Sequence, residues 1–102
     1  CLPQQVFHLR AARDDAGAAR VFLKAAHLGN PVAQNRIARI RMAGRGMPAD
    51  PTEAVKWHLV AKAGGNSDPE LDVFASKQSQ PVRDAADQAA KKWLSTMAAQ
   101  RP

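Results

Sequence analysis

The stretch GRGMPADPTEAVKWHLVAKAGG, residues 44 to 65, decides how this chain is read. Two glycines one residue apart lead into an Asp-Pro pair, then a run of helix formers, then a second pair of glycines. Asp50 can accept from the free N–H groups of a first helical turn, Pro51 suits the first helical position, and Glu53 completes a capping-box-like pattern. Gly64-Gly65 supplies the stop, because glycine takes the left-handed conformation that ends a helix. Between these signals Ala54, Trp57 and Ala61 fall on one face, with small residues where two backbones approach and an indole filling the space between. The Gly44-Arg45-Gly46 turn lacks the preceding strand and the remaining residues of a P-loop or dinucleotide motif. It reads as a corner between helices.

Working outward, the same pattern recurs. Asp15, Ala19, Phe22, Leu23, Ala26 and Gly29-Asn30 match Asp50, Ala54, Trp57, His58, Ala61 and Gly65-Asn66 at an offset of 35 to 36 residues. Ala90, Trp93, Leu94 and Met97 give a third instance 36 residues on. A large aromatic preceded three positions earlier by alanine, three times over, is a period, and periods of this length indicate repeat architectures.

Spacing and residues together resemble the bacterial Sel1-like repeat, a relative of the tetratricopeptide repeat. Residues 30–65 carry the resemblance: Ala33-Gln34, Gly44-Arg45-Gly46, Met47, Asp50 and Ala54-Val55-Lys56-Trp57. The tyrosines usual in the family are missing, with Ile40-Arg41-Met42 near one expected site and His58 at the other. The resemblance implies an all-α fold, a right-handed solenoid of antiparallel helix pairs. About two and a half repeats fit the length, residues 1–29 and 66–102 being degenerate end units. In residues 1–29 a shortened first helix over Pro3 to Ala12 is expected before the second. From Pro81, the positions Val82, Ala85, Ala86, Ala89, Ala90, Trp93, Leu94 and Met97 predict a long amphipathic helix that caps the array.

Composition agrees with helices. Only five residues are aromatic, tyrosine is absent, isoleucine occurs only at Ile37 and Ile40, and no segment alternates with period two. Of the net charge of +6, the first fifty residues hold eight Lys/Arg against three Asp/Glu, and the remainder seven against six. The basic excess lies in the first half. It could attract nucleic acid, anionic cell-envelope material or an acidic partner. Arg36, Arg39, Arg41 and Arg45 spread around a helix at 100° per residue, and stacking aromatics are absent, so nucleic acid is the least favoured.

One cysteine allows neither an intramolecular disulfide nor a zinc-binding CxxC pair. His8, His27 and His58 are isolated, and no nucleophile has a base that the sequence identifies. No catalytic residue, metal site, cofactor or small-molecule substrate is expected. On the helix beginning near Pro31, the stripe Ala33, Ile37, Ile40 and Gly44 is expected inward, which turns Asn35, Arg39 and Met42 outward with Arg36 on the flank. By resemblance these four are candidate contacts for another protein, bound by an adaptor, regulator or accessory subunit. Cys1 admits two readings, a fragment boundary or the lipidated first residue of a lipoprotein attached to a membrane complex. Relatives in bacteria are frequently exported, so a periplasmic or membrane-attached setting is the expectation.

Overall fold

In the computed structural model the backbone of residues 2–100 and the side chains of residues 14–100 are described. Five helices follow one another: α1 (Leu2–His27), α2 (Pro31–Ala43), α3 (Pro51–Ala63), α4 (Pro69–Ser76) and α5 (Gln80–Gln100). No strand occurs among the described residues. The molecule measures 52 × 35 × 20 Å, and its thinnest dimension is that of two helix layers. α2 packs between α1 and α3, and α3 in turn packs against α5 and α4.

The helix boundaries follow local chemistry. α1 and α3 end alike: Gly29 donates to Ala26 O and Asn30 to Ala25 O, while Gly65 donates to Lys62 O and Asn66 to Ala61 O. Both glycines have positive φ, 95° and 96°, so each helix closes in a Schellman motif at positions 36 residues apart in the chain. Asn30, Asp50 and Asp68 each cap the helix that a proline then begins. At Asp50 the capping box is half made. Its carboxylate accepts from the Glu53 N–H at 3.2 Å, but its own N–H goes to Arg41 O at 2.9 Å rather than to the Glu53 side chain.

Two expectations need correction. Residues 2–27 form one helix, so no separate helix over Pro3 to Ala12 exists. Nothing there breaks a helix except Gly17, whose cost of about 1 kcal/mol is easily offset among alanines. On α2 the buried residues are Ala33, Gln34, Ile37 and Ala38, whereas Ile40 is half-buried and Gly44 is the exposed C-cap. A helix lying between two neighbours buries a wider band than the single stripe read from the sequence.

The recurring alanines face the interior. Ala19, Ala54 and Ala90 are 0%, 0% and 3% exposed, and each sits one turn before an aromatic of the core. Trp57 is fully buried and meets His27 and Trp93 edge-on, with ring centroids 5.2 and 5.6 Å away. Phe22 and Trp93 pack against the same cluster, which Ile37, Val60 and Leu71 complete. α3 thereby packs against α2, α4 and α5, and α1 reaches it through His27.

Candidate functional site

Between α1 and α2 lies a groove of about 290 Å³. Ala18 and Phe22 of α1 and Ile40 and Ala43 of α2 form its apolar floor. Arg36 and Arg39 stand on its rim from α2, Arg45 from the loop after α2, and Asp15 from α1. Arg45 reaches the rim because its loop is pressed onto α1. A Cβ at Gly46 would collide with the Asp15 carbonyl, passing within 2.7 Å of its carbon, and φ there is 92°. Only glycine permits that approach. The loop is fixed from its other side by Arg41, whose carbonyl accepts from Asp50 N–H and whose guanidinium donates to Pro48 O at 3.0 Å.

The charges of the rim are unequally engaged. Arg45 is well exposed and lies 3.6 Å from the carboxylate of the half-buried Asp15, a contact that contributes little. Arg36 is exposed and has no ion pair among the described residues. Arg39 is different. Its Nε and Nη2 donate to the two oxygens of Asp68 at 2.8 and 3.0 Å, and Asn35 Nδ2 donates to the same carboxylate at 2.8 Å. Asp68 also accepts from the Glu70 and Leu71 N–H groups at the start of α4. Its burial would raise its pKa, but the bonds from Asn35, the Leu71 amide and the Arg39 guanidinium outweigh that and hold the carboxyl below its ordinary value. Asp68 is thus a tether between α2 and α4.

Of the four sequence-derived contact residues, then, Arg36 alone is openly exposed. Asn35 and Arg39 use their polar atoms on Asp68, and Met42 packs partly buried against the core. They do not make the open face expected, because Asp68 and the start of α4 cover part of it. Arg36 and Arg39 do share the groove, together with Arg45, which the sequence placed in the turn and among the dispersed arginines but not among the contact residues. The signal that could have found Arg45 was the glycine on its C-terminal side. Cys1 lies outside the described residues.

A second polar cluster was not visible in the sequence. His58 is buried, and its Nε2 lies 2.6 Å from Asp72 Oδ1, while Lys62 Nζ donates to the same oxygen at 3.3 Å. The carboxylate can only accept, which places a proton on Nε2. Nδ1 is buried without a partner. The bond from His58 first, and then that from Lys62, keep the Asp72 carboxyl below its ordinary pKa. Among the described residues no hydroxyl or thiol is hydrogen-bonded to the imidazole, and the pair acts as a clasp between α3 and α4.

Two other clefts are somewhat larger than the groove. One, of about 300 Å³ near Gly29, Trp93 and Met97, has no charged residue in its lining. The other, of about 370 Å³ near Val55, Leu59 and Ala75, sets Arg83 against Asp84 and Asp87 and so carries only a single net negative charge. No group of three or more potential metal ligands occurs among the described residues, and no described helix is long and apolar enough to cross a membrane. No protein-family model matches the chain, and no curated protein or solved structure matches it either.

Proposed function

We propose that this chain is a non-enzymatic protein-interaction module, an adaptor, regulator or accessory subunit, built as a right-handed Sel1-like solenoid of about two and a half antiparallel units. The repeated Schellman ends of α1 and α3 and the buried alanines at Ala19, Ala54 and Ala90 support the repeat. Support for the non-enzymatic part comes from His58, whose reactive nitrogens are buried and either bonded to Asp72 or enclosed. The observation that carries the binding role is the α1–α2 groove, where an apolar floor meets Arg36, which has no ion pair among the described residues, and Arg45, whose contact with Asp15 is loose.

Affinity purification from the source organism tests this reading. The expected result is a protein partner recovered in near-stoichiometric amount and retained at moderate salt. Recovery of nucleic acid or envelope polymer alone, released steeply as salt rises, would place the chain with binders of anionic polymers instead.

A further inference from the structure

We infer that the α1–α2 groove takes a short acidic peptide segment in which one apolar side chain is flanked on both sides by carboxylates. This rests on the interaction-module reading and names the chemistry of its partner. Arg36 stands on α2, and Arg45 lies in the loop after it, two positions beyond the last helical residue Ala43. The seven helical steps from Arg36 to Ala43 rise roughly 10 Å, and the two long side chains extend the reach at each end. Carboxylates at positions i and i+4 of an extended peptide, about 13 Å apart, would meet the two arginines. The side chain at i+2 then faces the floor of Phe22, Ile40, Ala18 and Ala43.

Charge complementarity selects this occupant. Three guanidiniums border the groove against the single carboxylate of Asp15, and Asp68 satisfies only Arg39. Asp15 shows the chemistry in place, because a carboxylate of the chain itself already rests at 3.6 Å from Arg45. That contact is loose and exposed, so an incoming carboxylate can replace it at little cost. A nucleic acid would find less. The phosphates of a strand need a longer basic track, and among the described residues no aromatic ring stands fully open for base stacking: Phe22, Phe74 and Trp93 are half-buried and Trp57 is buried.

Fluorescence anisotropy with the full chain at low salt tests the inference, using a labelled, end-blocked Glu-Ser-Leu-Ser-Glu peptide as the probe. Saturable binding below about 1 mM is expected. Replacing both glutamates by glutamine, or the leucine by serine, should each weaken it tenfold or more. The double variant Arg36→Ala/Arg45→Ala should lose at least as much while keeping its circular dichroism and melting temperature. Absence of saturable binding, equal binding of the glutamine peptide, or an unaffected double variant would each overturn the inference. So would displacement of the peptide by polyuridine or by phosphatidylserine vesicles at equal charge, which would assign the groove to a polymer or a membrane. If the peptide fails but a protein partner still co-purifies with the double variant, only the groove assignment falls. If no partner co-purifies with the unaltered chain, the module reading falls with it.

Discussion

The two flanks of α2 treat charge in opposite ways. Towards the start of α4, Asn35 and Arg39 hold Asp68, and nearby His58 and Lys62 hold Asp72, so that each carboxylate is met by donors from another helix. Towards α1, Arg36 has no ion pair among the described residues and Arg45 keeps only a loose contact with Asp15. The first arrangement ties α4, an eight-residue helix with one fully buried side chain, to the body of the protein. The second ties nothing. Charge that ties helices together is met by donors from a neighbouring helix; charge left unmatched beside an apolar floor is available to a partner.

The most disruptive way to break this comparison is to remove what both flanks hang from. Trp57→Ala should cost about 3–5 kcal/mol, because a fully buried indole leaves a cavity among helices that cannot close over it. Urea denaturation followed by circular dichroism should show a large fall in midpoint or no folded baseline. A loss under 1 kcal/mol would mean that α3 is not the hub described.

Next in size is the closed flank. Asp68→Ala removes the cap of α4 and leaves Arg39 and Asn35 facing a gap, which should cost about 2–4 kcal/mol. Asp68→Asn keeps part of the cap and should cost less. The same site sets an acid sensitivity. Asp68 and Asp72 both have carboxyls held below their ordinary pKa in the folded state, so between the folded and unfolded values the unfolded chain binds more protons. Their contribution is complete above about pH 4 and is lost as pH falls through the lowered values. Denaturation midpoints measured from pH 7 to pH 2 should therefore drop in acid, and the drop should be shallower in Asp68→Asn. Equal slopes for the two proteins would remove Asp68 from the account.

The parts of this arrangement that were legible in the sequence are the local ones. Asp50 and Asp68 announce helix starts through their own side chains and the prolines beside them, and Gly29 and Gly65 announce stops through a backbone angle that other residues avoid. Trp57 and the alanines singled out by the 36-residue spacing are buried, because an indole and the small residues beside it suit closely packed helices. Contacts between distant residues left no such trace. Asn35 and Asp68 are 33 positions apart, Arg39 and Asp68 are 29, and His58 and Asp72 are 14, so only the packing of α3 and α4 brings them together. The continuity of α1 was misread for a related reason, because the period led us to expect a break that no local residue encodes. Gly46 lies between the two cases: its glycine was conspicuous, but the close approach to Asp15 that requires it belongs to the tertiary fold.

On the open flank, Gly46→Ala should have an intermediate effect. The added Cβ both collides with the Asp15 carbonyl and occupies a left-handed conformation, and the combined strain is about 1–3 kcal/mol. The loop should shift away from α1 and take Arg45 with it. Amide NMR shifts at Asp15, Ala16 and Arg45 report that movement, and a variant in which only residue 46 changes would show that the loop is not pressed onto α1.

The smallest expected effect separates the two flanks most cleanly. Arg36→Ala and Arg45→Ala, singly or together, should change folding stability by no more than about 0.5 kcal/mol, since exposed side chains without a geometrically tight partner contribute little. Arg39→Ala is the matched comparison. It stands on the same groove rim, yet its loss leaves the Asp68 carboxylate buried without its main cation, so its stability cost should exceed theirs by at least about 1 kcal/mol. Equal costs for all three would mean that Arg36 and Arg45 have structural tasks equivalent to that of Arg39, and the distinction between a closed and an open flank would fail. If instead Arg39→Ala alone destabilises, the two remaining arginines are held on the surface for something other than folding, and the apolar floor between them is where that something would sit.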